Sequence, residues 1–399
     1  MNELIRLRGL YFAYFAYVGI ASPFLSLYLV EHRFSITQIG VLMSVPQWMR
    51  IISPPFWGWL ADTGASAYRL LRISTLLTLV MILLLPLAAP AGFAAVLLLL
   101  AALYFVNGAQ MPIGEARTLA ITRGDAGAYG RTRVWGSIGF MLAVALVGLA
   151  LDAWGMVWLP AWMALAMIGL LFAVWPMTAS DPPPASEAVA TLVRLRERLR
   201  QAHIVAFFLG NALMIFAHAA YYVLFSLFLE RHGFSKSEIG LLWTLGVLAE
   251  VVLFRWQRRL FERFSTLGLL GFSMVVAAGR FLLIGQSDGL LLPLLLAQLM
   301  HAVTFGLHHS AVMKTLHQWF DARQQARAQA MYITLAYGMG GALGGLAMSA
   351  LWAQVSPPAA FVGAALAAGL GALSILLAAR LAPLSCAVAY STVDATPRR

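Results

Sequence analysis

The feature that most constrains this chain is a succession of apolar runs, each about as long as a bilayer is thick. A helix needs about 20 apolar residues to cross the hydrocarbon. Lipid permits only helices or closed barrels, because every backbone N–H and C=O must be satisfied within the protein. Twelve such runs occur, at roughly 8–30, 37–61, 70–89, 93–116, 131–152, 154–176, 202–229, 237–257, 266–286, 289–315, 329–352 and 357–382. We number them spans 1 to 12. The first continues past Val30 and lacks a small-residue cleavage site, so it reads as a span and not as a signal peptide. Composition agrees: 61% of residues are hydrophobic and 11% charged, against about 25% charged in soluble domains. The chain reads as an all-α integral membrane protein embedded in the lipid bilayer.

The runs are related to one another. "HRFSITQIGVL" from His32 returns as "HGFSKSEIGLL" from His232, an offset of 200 residues. Between Ser26 and Leu42 nine of seventeen positions are identical in the second copy. Ser35 with Gln38, and Ser235 with Glu238, have capping-box spacing, so each copy is the entry to a helix, span 2 and span 8. Six spans precede the one sizeable linker, residues 177–201, whose Asp181-Pro182-Pro183-Pro184 stops a helix, and six follow it. The expectation is two pseudo-symmetric six-helix halves, 1–176 and 202–399, with a binding site near the midplane between them.

Charge placement sets orientation. Of 27 basic residues all but Lys236 and Lys314 are Arg, and most sit in short breaks on alternate sides. Arg69, Arg72, Arg123, the run Arg194 to Arg200, Arg258, Arg259, Arg263, Arg323 and Arg327 fall on one side, and only Arg33, Arg231 and Lys236 on the other. The positive-inside rule makes the Arg-rich side cytoplasmic. Both termini and the linker are then cytoplasmic, and the net charge of +11 reports orientation, not nucleic-acid binding. The single cysteine, Cys386, excludes an internal disulfide.

Ionisable residues at mid-span cost about 2.5–3.5 kcal/mol to insert and are generally functional. They are Arg50, Glu115, Arg133, Glu250, Arg280 and the histidines His301, His308 and His309. Arg50 and Glu250 are repeat equivalents of opposite sign, so the halves have specialised. Seven residues put His301 and His308 about 10 Å apart along an axis, too far to share a metal. Histidine suits proton exchange or hydrogen bonding to a polar solute; a bond to a neighbouring helix is the alternative. Asn211, His218 and Tyr222 on span 7, with Tyr14 and Tyr17 on span 1, fall at helical spacing as a solute lining or as packing. No catalytic motif, metal cluster or phosphate loop is present, which excludes an enzyme; neither a metal nor a cofactor is expected.

Across all twelve spans the chain resembles the major facilitator superfamily. "GWLADTG" after span 2 is similar to its signature at Gly58, Leu60 and Asp62, although Thr63 stands where arginine is usual. The resemblance makes Asp62 a gate residue; Arg50 is a gating candidate as well. "YGRTRVWGSIGF" (Tyr129 to Phe140), "GVLAEVVLF" (Gly246 to Phe254) and "HAVTFGLHHSAVMK" (His301 to Lys314) resemble the phenylpropionate permease family, related to lactose permease. That relationship implies a substrate-binding pair Glu115–Arg133 and proton coupling through Glu250, Arg280 and His301. A second span 10 carboxylate is missing: Thr304 stands where it belongs.

The resulting expectation is a monomeric proton-coupled symporter of the bacterial inner membrane, taking a small-molecule substrate by alternating access. Glu250 and His301 would carry the proton. Glu115, Arg133, Arg280, His301, His308, Asn211 and Tyr17 would contact a solute, with an aromatic acid such as 3-phenylpropionate favoured. A sugar or nucleoside symporter, an exporter of amphipathic compounds and a membrane sensor are the alternatives.

Overall fold

Every apolar run becomes helix, and the computed structural model contains no strand among its described residues, which are 3–123, 125–177 and 197–383 apart from the side chains of Asp62, Ala126, Ala322 and Arg323. Cys386 and most of the linker, Arg194 and Arg196 included, lie outside them. Eleven helices are long and apolar enough to cross a membrane. The helix of span 2, Ile36–Asp62, is long enough at 27 residues but carries Gln47, Arg50 and three prolines among its apolar residues. It completes the twelve.

Span 1 is Glu3–Glu31, span 3 Ala67–Ala91, span 5 Ala126–Trp154, span 6 Leu159–Val174 and span 7 Ala202–Arg231. Span 8 is Lys236–Phe254, span 9 Thr266–Gly285 and span 12 Pro357–Leu381, with a short helix Gln257–Arg263 between spans 8 and 9. Three spans are broken. Span 4 consists of Phe93–Asn107 and Gln110–Thr122, and at the break Gly108 admits Ser53 to within 2.1 Å of where a Cβ would stand. Span 10 runs Leu291–His301, a π turn Ala302–Leu307, then His308–Trp319. Span 11 runs Ala322–Tyr332, a π turn Ile333–Gly340, then Gly341–Gln354. Such π turns inside helices are frequent at functional sites.

The repeat is explained by its ends. Both capping boxes form: Ser35 and Gln38 exchange backbone-to-side-chain bonds of 2.9 and 3.3 Å, and Ser235 and Glu238 bonds of 2.8 and 3.2 Å. Residues 33 and 233 both turn into the left-handed region (φ 63° and 84°), where Gly233 fits freely and Arg33 is strained. The glycine shared by the two copies sets helix approach. A Cβ on Gly40 of span 2 would lie 2.4 Å from the Ser349 Cβ on span 11, and one on Gly240 of span 8 would lie 2.5 Å from the Val144 carbonyl oxygen on span 5.

Those crossings join the halves. Span 1 packs on 5 and on 6, and spans 2, 3, 4 and 6 join through 2–4, 3–4 and 3–6; in the second half span 12 packs on 7 and 9, span 11 on 7, and span 8 on 10. Contacts between halves run through spans 5–8, 2–11 and 1–7. Near the end that carries Ser35 and Ser235 the junction is sealed, with Asp152 of span 5 accepting the Lys236 and Ser237 amides at 2.8 Å each. Two of the free N–H groups that open span 8 are thus satisfied by the other half. Deeper in, Ile51 of span 2 stands against Gly338 of span 11, and Thr244 of span 8 donates to the Met141 carbonyl of span 5 at 3.5 Å. Beyond them the helices Gln110–Thr122 of the first half and His308–Trp319 and Ala322–Tyr332 of the second pack chiefly within their own halves, so this end is the open one.

Candidate functional site

The second half holds a buried ionic cluster. On span 9 the Arg280 side chain is wholly enclosed, which demands partners for its five donors. Its Nε donates to the Ala297 carbonyl at 2.8 Å, where span 10 approaches, and Nη1 donates to Thr304 Oγ1 at 3.1 Å. The guanidinium also lies 4.4 Å from the Tyr221 ring centroid, and Tyr221 donates its hydroxyl to Gln298 at 3.0 Å. Glu250 of span 8 does not ion-pair with Arg280. It meets His301, Oε1 to Nε2 at 2.8 Å, with both side chains almost wholly buried. The imidazole is stacked between Tyr221 and Phe305, with centroids at 5.4 and 5.3 Å. Gly246 makes room for it, since a Cβ there would be 3.2 Å from the ring.

In the first half Arg133 of span 5 reaches Glu115 of span 4 at 3.5 Å, each side chain still nearly two-fifths accessible. Phe15 and Tyr11 floor the pair, 4.7 and 5.4 Å from the guanidinium carbon. A carboxylate and a guanidinium that accessible at mid-span face an aqueous space, not lipid. Arg50, also exposed, lies 5.4 Å from the Tyr337 ring of span 11 and so touches the opposite half. Tyr222 and Tyr337 are in electrostatic range of both Arg50 and Glu250. The cluster of one half and the pair of the other therefore front a common space between the halves.

The remaining expected residues divide. Asn211 and His308 are enclosed within the second half, 0% and 2% exposed, and Tyr17 is 2% exposed in the first. In this conformation no solute reaches them: Asn211 donates to the Phe207 carbonyl at 2.7 Å, and His308 pairs with Ser273 at 3.0 Å. The cause is the width of the bundle, since a polar residue on the right face of span 7 or 10 can point at a neighbouring helix instead of the midplane. Asp62 closes the span 2 helix, but its side chain is outside those described. Two residues take places that spacing did not indicate. His309 is exposed and in electrostatic range of Arg133 across the space. Tyr221, next to Tyr222 and therefore on another face, holds Arg280 and His301 together. Among the described residues no group of three or more His, Cys, Asp or Glu is placed to hold a metal.

Comparison with known proteins follows the same lines. The model of the MFS_1 like family matches residues 4–362. The chain is 28% identical over 338 residues to a probable 3-phenylpropionic acid transporter of Escherichia coli (strain K12), covering 82% of this chain and 86% of the relative. It is 28% identical over 342 residues to a maltose permease of Geobacillus stearothermophilus, covering 83% of each. Among solved structures, a nucleoside transporter superposes with a TM-score of 0.79 at 17% identity, over 96% of this chain and 99% of that one. A POT family transporter superposes with a TM-score of 0.74 at 14% identity, over 95% and 96%.

Proposed function

The chain belongs to the MFS_1 like family and is a multi-pass membrane transporter of the major facilitator type; from that premise we propose that it is a proton-coupled symporter for a small organic acid of the phenylpropionate class. The observation that carries the reading is the charge inventory around the space between the halves: Arg50, Arg133 and Arg280 face two carboxylates, Glu115 and Glu250. One of those carboxylates is bonded to a histidine and not to an arginine.

The mechanism follows from that asymmetry. With Glu250 ionised, the cluster holds one cation and one anion. A proton delivered to the Glu250–His301 pair leaves the Arg280 charge uncompensated, and a solute carboxylate held in the adjoining space restores neutrality; Arg280, wholly enclosed, acts on it by charge and not by contact. Guanidinium binds carboxylate through two parallel hydrogen bonds, a role open to Arg133, which the space reaches. Phe15 and Tyr11 then offer ring faces to an aromatic tail. Proton and anion are taken together because each offsets the electrostatic cost of burying the other. Loss of both to the open side frees Glu250 to ionise again.

The two halves, 1–176 and 202–399, rock about this space, with the 177–201 linker and both termini in the cytoplasm and the monomer in the bacterial inner membrane. On that orientation the sealed end is external and the open end cytoplasmic. Arg50 on Tyr337 is a contact that rocking rearranges, and Asp62 acts at the cytoplasmic gate. Phenylpropionate is supported by the 28% identical relative. One feature favours a hydroxyl-rich ring as a second reading: Glu115 and Arg133 over an aromatic floor form a donor–acceptor pair suited to a sugar or nucleoside.

The test is uptake of labelled 3-phenylpropionate into vesicles holding the pure protein, with and without an inward proton gradient. Gradient-driven accumulation, abolished in Glu250→Gln, is the expected result. Uptake that ignores the gradient refutes the coupling. Transport of maltose or uridine without phenylpropionate transport transfers the pair Glu115–Arg133 to the second reading.

A further inference from the structure

Behind the site the second half contains a second polar layer that the mechanism above leaves unused. Spans 7, 9 and 10 each carry two buried polar residues seven positions apart: Asn211 and His218, Ser273 and Arg280, His301 and His308. All six are at least nine-tenths buried. Seven residues are about two helical turns, or 10 Å of rise, on spans 7 and 9; on span 10 the π turn shortens the rise, and the bond from His308 to Ser273 fixes its level. Span 10 runs opposite to spans 7 and 9, so the six fall into two levels. His218, Arg280 and His301 stand at the level of Glu250. Asn211, Ser273 and His308 stand two turns nearer the open end.

The hydrogen bonds fix which histidine nitrogen carries hydrogen. His218 Nδ1 is 2.9 Å from the Met214 carbonyl, which only accepts, so Nδ1 is the donor and, in the neutral imidazole, Nε2 is bare. Ser273 spends its own hydrogen on the Leu270 carbonyl at 2.7 Å, so its oxygen accepts from His308 Nδ1 at 3.0 Å, and His308 Nε2 is bare as well. His301 turns Nε2 to Glu250, which leaves Nδ1 facing inward. Among the described residues none of these three nitrogens has a partner, nor does the Asn211 oxygen; Arg280 Nη2 and Gln298 Nε2 are donors left over beside them. His218 is within electrostatic range of Arg280, His301 and His308. The charged and titratable groups facing this interior are Arg280, Glu250 and Tyr221, with His309 beside His308. Buried polar groups without a protein partner are satisfied by internal water. A bare imidazole nitrogen beside water is a proton acceptor.

We propose that His218 and His308, bridged by internal water, form a proton relay that links the Glu250–His301 pair to the open end through the interior of the second half, apart from the solute space. The proposal rests on the proton-coupled reading and adds a route to it. The solute then fills the space between the halves without blocking the proton's exit. The proton passes from Glu250–His301 to water, to His218 Nε2, to water, and to His308 Nε2. Each imidazole takes a proton and returns one, so no net charge stays on the relay after a cycle.

The experiment compares two modes in the same vesicles: gradient-driven accumulation of labelled 3-phenylpropionate, and its counterflow exchange at equal pH, which needs solute binding and rocking without net proton release. His218→Gln and His308→Gln are each expected to lower driven accumulation at least tenfold while counterflow stays within twofold of the unaltered protein. Accumulation undiminished in both variants, or accumulation and counterflow falling in parallel, overturns the relay. If the unaltered protein itself exchanges the solute but does not respond to the gradient, the coupling reading fails, and the relay with it, which is a distinguishable result. Should a variant fail to fold, nitrogen-15 resonances of the two imidazoles in the unaltered protein decide. A water-bonded, unprotonated Nε2 on both supports the relay, and hydrogen on either Nε2 at neutral pH refutes it.

Discussion

The shared glycine of the repeat yields the sharpest prediction. In Gly240→Ala the new Cβ would stand 2.5 Å from the Val144 carbonyl oxygen. Ordinary contact begins near 3.4 Å, so the helices must part by about 0.9 Å, and the obstacle is backbone, which has no rotamer to yield. Overpacking of this kind costs about 1–3 kcal/mol. The cost falls only on the conformation in which spans 5 and 8 touch. It therefore shifts the population away from the sealed form by about 5- to 150-fold. The assay is the distance distribution between spin labels at Val157 and Leu290, both well exposed and on opposite halves at the sealed end, in a protein with Cys386 replaced by serine. A longer-distance population should grow in Gly240→Ala and in Gly40→Ala. Gly369→Ala is the control, because nothing lies within 4 Å of its Cβ, and it should leave the distribution alone. An unchanged distribution in Gly240→Ala would refute the claim that this crossing limits opening.

Further consequences follow from individual contacts. Asp152→Ala removes the acceptor of two amides at the mouth of span 8; hydrogen bonds to a charged group contribute about 1.5–3 kcal/mol, so the same label pair should shift in the direction of Gly240→Ala. Tyr221→Phe deletes the hydroxyl bonded to Gln298 and keeps the ring over Arg280. It should lower the melting temperature by a few degrees with uptake intact, whereas Tyr221→Leu, which removes the ring, should reduce uptake at least tenfold. Glu115→Gln should raise the half-saturating concentration for uptake without altering its response to the gradient, which separates the solute pair from the proton pair.

How much of this was legible in the sequence can be judged from particular residues. The capping boxes were, because a box is a local device: Ser35 and Gln38 need only each other and the first turn of their helix. The Glu115–Arg133 pair followed from a resemblance, and the structure places the two in contact. The role of the repeated glycine was not legible, since the atom it admits, the Val144 carbonyl oxygen, belongs to a helix 96 residues away. Nor were the breaks in spans 10 and 11. A π turn adds one residue to a turn without any composition signal, and it changes which way every later side chain faces. In span 10 the π turn Ala302–Leu307 lies between His301 and His308, so seven residues there are not two α-helical turns. The enclosure of Asn211 and His308 was hidden for a related reason: helical spacing names a face, and only packing says whether the midplane or a neighbour lies opposite it.

Thr304 allows the charge argument itself to be tested. The resemblance to lactose permease implies a glutamate one turn after the histidine; here Thr304 takes that place and accepts from Arg280 at 3.1 Å. A neutral acceptor takes one hydrogen of the guanidinium and leaves its charge standing. Thr304→Glu would set a carboxylate against that charge. Two unit charges about 4 Å apart at an effective dielectric near 20 attract by about 4 kcal/mol, more than enough to cancel the advantage Arg280 offers an incoming anion. Uptake of a carboxylate solute should therefore fall at least tenfold in Thr304→Glu. It should persist in Thr304→Gln, which has the same length and no charge, so the pair separates electrostatics from crowding in the π turn. Equal losses in both would show that the site is limited by shape at this position. Undiminished uptake in Thr304→Glu would remove the uncompensated arginine from the mechanism, and with it the reason for expecting an acid as the solute.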